Sequence, residues 1–167
     1  MTNETPETSG ARARPYWFII ALAILVILAD QSSKWWAEAA LGDGEVVELP
    51  GGFFRFVLVY NPGAAFGLGT GFTWVLAVLA GGAAVAIAWY AWRVRSWPWA
   101  IAFGLVLGGA ITHFGDRVFC GEVVDFIAYG DFFVGNVADI AIVGGAIFGA
   151  LLALLQVPLT GRAQPAD

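Results

Sequence analysis

Charge is scarce in this sequence. Only 13% of its 167 residues are Asp, Glu, Lys or Arg, about half the roughly 25% typical of a soluble globular domain. With 59% hydrophobic residues, the composition points to a bilayer as the solvent. Basic residues total eight and form no patch, so the electrostatic footprint of a nucleic-acid-binding protein is missing. The single cysteine, Cys120, excludes an internal disulfide framework. The single histidine, His113, lies seven residues before it, near a helix end. A nucleophilic thiol needs surroundings that favour the thiolate; none is evident, and Cys120 reads as a small loop residue. No repeat of solenoid length is visible. No small-residue cleavage site closes the first apolar run, which ends on Asp30 and Lys34, so it reads as a retained helix.

Long apolar runs are abundant. A span needs about 20 mostly apolar residues, and four segments qualify: Tyr16 to Trp36, Phe72 to Trp92, Trp97 to Phe114, and Phe132 to Val157. The expected fold is an α-helical membrane protein of four transmembrane helices, with a small extracytoplasmic β-cradle between helices 1 and 2. That cradle is read from Glu45 to Tyr60, a β-branched and aromatic stretch interrupted by Pro50-Gly51-Gly52 as a turn signal. Residues 1–14 are expected to be a disordered, cytoplasmic N-terminus, 15–157 a single membrane domain, and 158–167 a cytoplasmic tail. Arg12, Arg14, Arg93, Arg95 and Arg162 all fall on one side of a four-span topology; short basic flanks mark the cytoplasm, so both termini are expected there. Glu38, Asp43, Glu45, Glu48, Glu122, Asp125 and Asp131 fall on the other side. Trp17, Trp35, Trp36, Trp74, Trp92, Trp97 and Trp99 sit near span ends, as an interfacial aromatic belt requires.

Ionisable groups close to hydrocarbon are costly, and so are candidates for function. Asp30 and Lys34 are spaced i,i+4 on one helix face and can pair; a snorkelling anchor would look the same. Asn61-Pro-Gly63-Ala-Ala65-Phe66-Gly67 combines small residues that allow close approach with an amide that can donate and accept; an ordinary turn between a strand and the second span is the other reading. Gly104, Gly108 and Thr112 recur every four positions and suit close helix packing. Asp116 and Arg117 then end the third span, positioned to lock the outer loop through charge pairs. His113 reads as a packed or hydrogen-bonded residue, with proton carriage as the lesser alternative. Asp125 sits in an apolar piece of loop, and Asp139, fourteen positions on, lies in the first turns of the fourth span with Asn136 three residues earlier. Two close carboxylates share a proton, which suits peptide hydrolysis: one activates water while the other, protonated, polarises the carbonyl. Pairing of Asp139 with Arg117 or Lys34 is the structural alternative.

Taken in order, Asp30 and Lys34, Asn61-Pro-Gly-Ala-Ala-Phe-Gly67, Asp116-Arg117, Val-Val-Asp125-Phe and Asn136-Val-Ala-Asp139 resemble the lipoprotein signal peptidase family, also called signal peptidase II. The resemblance implies an aspartic endopeptidase with Asp125 and Asp139 as the catalytic pair. It implies that Asp30, Lys34, Asn61, Gly63, Ala65, Phe66, Asp116, Arg117 and Asn136 bind substrate or support the site. The implied substrate is a bacterial prolipoprotein carrying diacylglycerol, cut just before its lipidated cysteine near the outer face of the cytoplasmic membrane. No metal or organic cofactor is implied; the partners are that substrate and membrane lipid, and a monomer can hold the whole site. The stretch from Val118 to Asp131 is expected to act as a flap. Thr112-His113 stands where the family usually has Gly-Asn, Gly135 stands where an aromatic is common, and the interval from Asp125 to Asp139 is short. A small four-span transporter using its acids as a proton relay is the competing class; it would place an acid mid-span and lack the β-rich loop.

Overall fold

The computed structural model describes residues 15–63 and 71–160. The expectations for residues 1–14, for Ala65 and Phe66, and for the end of the C-terminal tail lie outside them.

Four helices are long and apolar enough to cross a membrane: α1 (Tyr16–Leu41), α2 (Thr73–Ala91), α3 (Trp97–Phe119) and α4 (Val137–Leu154). Without water to satisfy peptide groups, such runs close their hydrogen bonds internally as helices. Pro98 opens α3, where its missing N–H is no loss. Large apolar side chains face outward all along the bundle, including Leu25, Leu28, Val78, Leu79, Val85, Ile147 and Leu154. An apolar surface of this extent is a liability in water and an ordinary lipid-facing surface in a bilayer.

Helix α3 is the hub, packed against α1, α2 and α4. Glycine permits the close approach. A Cβ on Gly108 would lie 2.6 Å from Val26 Cβ and 2.8 Å from the Ala23 carbonyl of α1. One on Gly109 would lie 2.6 Å from Ile142 Cγ1 and 2.8 Å from the Ala138 carbonyl of α4. Neighbouring positions on α3 thus serve two different partners. The expected stripe of Gly104, Gly108 and Thr112 is buried in the packed helix, with Gly104 against Leu22 and Gly108 against Val26 of α1.

A four-stranded antiparallel sheet covers the bundle end where α1 and α3 finish and α2 and α4 begin. Its strands, in spatial order, are β1 (Val47–Glu48), β2 (Phe54–Asn61), β3 (Val123–Tyr129) and β4 (Phe133–Gly135). It is therefore larger than a cradle between helices 1 and 2, since two strands come from between α3 and α4. The flap expected over 118–131 is corrected here: its centre is β3, paired with β2 on one side and β4 on the other, and an interior strand is not free to swing. The fourth span is corrected as well. It begins at Val137, because Phe133–Gly135 is strand. Helices α1 and α3 each run about five residues beyond the expected ends, to Leu41 and Phe119.

Ala37, Leu41 and Phe126, with Phe56, Leu58, Ile127 and Val137 around them, seat the sheet on the end of α1. The register of β2 on β3 shifts between Phe56 and Val59. This bulge, of a kind common beside functional sites, sets Val59 opposite Asp125 and Asn61 opposite Val123.

Candidate functional site

Asn136 organises the centre of the site. It is the N-cap of α4: its side-chain oxygen accepts from the Asp139 N–H at 3.0 Å, and Asp139 Oδ2 accepts from the Asn136 N–H at 3.0 Å, a complete capping box. Such a box satisfies two otherwise orphaned donors and fixes the helix start. The Asn136 amide group points the other way and donates to Asp125 Oδ1 at 2.7 Å. One fully buried residue therefore fixes the placement of both acids.

Asp125 reaches the site because β3 alternates its side chains. Its second oxygen accepts from Asn61 Nδ2 at 2.9 Å, and Asn61 Oδ1 in turn accepts from the Gly63 N–H at 3.0 Å. Asp125 is 3% exposed. Burial is the largest influence on its carboxyl and pushes it up to about 6; the Asn61 hydrogen bond opposes the rise, the Asp139 charge adds to it, and Asn136 and His113 oppose it. A carboxyl raised from its ordinary 3.8 holds a proton more readily in the folded chain than in the unfolded one. Its contribution to stability is then full below about 4 and is lost as pH rises through about 6. Lowering the pH from about 8 to about 5 should therefore raise the thermal midpoint of the wild-type protein relative to Asp125→Asn. Parallel midpoint curves for the two proteins would remove the raised carboxyl from this account.

Asp139 Oδ1 lies 3.1 Å from Nε2 of His113 on α3. Pairing of Asp139 with Arg117 or Lys34, the structural alternative, is not what forms. The Arg117 guanidinium donates instead to the carbonyls of Gly63 at 3.0 Å and His113 at 3.3 Å, while remaining within electrostatic reach of Asp125 and Asp139. Asn61, His113, Arg117, Val123, Asp125, Phe133, Asp139 and Ile142 line one cavity of about 210 Å³.

A second polar cluster lies beside it. Lys34 Nζ is 2.6 Å from Asp30 Oδ2 and 2.5 Å from Asp116 Oδ2, all three residues being buried. Asp30 Oδ1 accepts from the Ala138 N–H at 2.8 Å, and Gln31 Nε2 donates to Asp116 Oδ1 at 2.9 Å. The i,i+4 pairing of Asp30 and Lys34 is as expected. Asp116 differs from expectation: it faces α1, and of the two it is Arg117 that reaches the segment after β2, through Gly63. The three basic residues outside the topological charge bias, Lys34, Arg55 and Arg117, all have partners, with Arg55 bonded to Asp131 at 2.8 Å.

Sequence reasoning under-weighted His113 and overlooked Gln31 and Phe133. For His113 the signal was available: Gly109, His113 and Arg117 repeat every four residues on the face adjoining the Gly104-Gly108-Thr112 stripe.

A polar, carboxylate-bearing cavity where a helix bundle meets a sheet defines a class, the multi-pass membrane enzymes. A solved bacterial membrane enzyme, determined by the in meso method, superposes with a TM-score of 0.75 at 27% identity, covering 90% of this chain and 95% of that one. The family described as signal peptidase (SPase) II matches residues 22–155. A lipoprotein signal peptidase of Streptomyces coelicolor is 42% identical over 88% of this chain and 74% of its own length. One from Mycobacterium avium is 38% identical over 100% and 98%. The chain belongs to the signal peptidase II family. It is a membrane peptidase, and the transporter reading is set aside.

Proposed function

We infer that this peptidase removes the signal peptide from diacylglyceryl-modified prolipoproteins by aspartic-type catalysis, cutting before the lipidated cysteine. The observation that carries the reading is the double role of Asn136, which caps Asp139 and clamps Asp125 at the edge of one cavity. Of the two acids, Asp125 is the one that burial favours in its protonated form. It polarises the scissile carbonyl, and Asp139, more open at 28% side-chain exposure, takes the proton of the attacking water; this is the division of labour that two unlike carboxylate environments allow. Arg117 and Asn61 hold the connection that leads into α2, while Asp30, Lys34 and Asp116 brace α1 against α3 and the start of α4.

Both termini are cytoplasmic and the cavity opens near the outer face, in keeping with the Arg bias between spans. There a lipid-anchored peptide approaches sideways with its acyl chains still in the bilayer. One chain holds every proposed site residue, so a monomer suffices.

The test is a cleavage assay in detergent, with a diacylglyceryl-prolipoprotein beside the same precursor lacking lipid. Loss of the signal peptide from the lipidated form alone is expected. Equal cleavage of both forms would remove lipid recognition from this reading, and cleavage of neither by folded protein would remove the substrate class.

A further inference from the structure

His113 is not accounted for by the roles given so far. Its Nε2 is 3.1 Å from Asp139 Oδ1, and its side chain is 12% exposed. Its other ring nitrogen, Nδ1, is buried and has no hydrogen-bond partner among the described residues. The opposite oxygen of Asp139 is already committed to the Asn136 N–H, so Asp139 cannot rotate toward another donor without opening the α4 cap. Both oxygens of Asp125 are likewise committed, to Asn61 and Asn136. The only ring within hydrogen-bond reach of the pair that can gain or lose a proton near neutral pH thus lies against the acid less enclosed by the protein.

We propose that His113 is a positioning residue that donates from Nε2 to Asp139, keeps it the proton-accepting member of the pair, and adds a third ionisation to the pH response of cleavage. The proposal rests on the assignment of Asp125 and Asp139 as the reacting acids. With Nε2–H facing Asp139, both neutral and protonated rings can donate, but only the protonated ring adds a charge. The charged and titratable groups around it are few: Asp139 from α4, Asp125 and the more distant Tyr129 from β3, and Arg117 on its own helix. Of the α1 charges, Asp30 and Lys34 are satisfied with Asp116, and Glu38 is exposed. Between Thr73 and Ala91, α2 carries no ionisable side chain except Tyr90. Arg117 is a fixed charge at these pH values, so the variable charges facing Asp139 are the imidazole and the Asp125 carboxyl.

Gln is the informative substitution, because its amide nitrogen reaches about as far as His Nε2 while carrying no charge. His113→Gln should keep kcat/KM at its best pH within about tenfold of wild type. Both limbs of its pH profile should move relative to wild type, because a charge facing Asp139 has been removed. His113→Leu, lacking the donor, should lose a further tenfold or more. A purely structural histidine would lower rates at every pH and leave the limbs in place. Since the chain has one histidine, isotope-labelled imidazole in the tag-free protein gives one unambiguous set of ring resonances. Its titration midpoint should differ between wild type and Asp139→Asn.

Unmoved limbs in His113→Gln, or an unmoved midpoint in Asp139→Asn, would overturn the role of His113 while leaving the acid pair standing. Wild-type activity in Asp139→Asn would overturn the pair itself, and the proposal with it.

Discussion

Asp139→Asn should lower the rate of signal-peptide removal by about a thousandfold or more, within the range that a positioned general acid or base supplies. The substitution is nearly isosteric, and its retained oxygen can still accept from the Asn136 N–H, now bonded at 3.0 Å. The α4 cap therefore survives, and loss of rate is not loss of fold. What disappears is a group able to take a proton from water. Asp125→Asn should be as damaging for the opposite reason: an amide cannot pass a proton toward the carbonyl, and its NH₂ must face one of two amide donors now aimed at carboxylate oxygens. Single-turnover cleavage of a lipidated precursor by each purified variant, beside its thermal unfolding curve, separates chemistry from stability. Activity within tenfold of wild type in either variant, at an unchanged unfolding midpoint, would take that residue out of the reaction.

The largest effect on stability is expected at Lys34. Its ammonium lies between Asp30 and Asp116, with Asp30 0% and Asp116 9% exposed. Lys34→Met keeps most of the stem volume but leaves two carboxylates facing one another without a counter-charge. Breaking a buried ion pair from one side costs about 3–5 kcal/mol, and here two acids are stranded. Asp30 also accepts from the Ala138 N–H, so the loss spreads to the start of α4 and to the acid one residue beyond it. A second change, Asp116→Asn on the Lys34→Met background, should restore part of the stability, since residues of one network do not add independently. Unfolding in detergent measures both. A Lys34→Met midpoint equal to wild type would mean that the three charges do not act as a network.

The parts of the fold legible in the sequence are those the bilayer dictates. Span number, order and approximate position follow from apolar length, and close packing of α3 on a neighbour follows from Gly104, Gly108 and Thr112 on one stripe, though not that the neighbour is α1. The residues of the candidate site were nearly all in view, because charge in so apolar a chain stands out. Their partners were less so. Asp116 and Arg117 are adjacent in sequence, which suggested a joint role, yet neighbours on a helix point about 100° apart; one turns to α1 and the other to the β2–α2 connection. The stripe of Gly109, His113 and Arg117 is overshadowed by its all-small neighbour, since a histidine among glycines reads as packing. Strand β3 reads as loop in the sequence because its partners are far off along the chain, with Val59 opposing Asp125. Hydropathy alone does not separate the strand Phe133–Gly135 from the helix that follows. The boundary is written in Asn136, a strong helix-capping residue at the true start of α4.

Asn136 has one more consequence, for the order in which the protein is made. The fourth span and its cap, made after the other three, supply Asp139, the amide that holds Asp125 and the N–H that donates to Asp30. A nascent chain ending before residue 136 has three helices and the residues of all four strands, but only one of the paired acids, and that one lacks its clamp. On the proposed assignment of Asp125 and Asp139 as the reacting acids, hydrolytic competence thus arrives as a single late event, when the fourth span threads into the membrane and docks. A half-synthesised copy cannot cut the chains being inserted beside it.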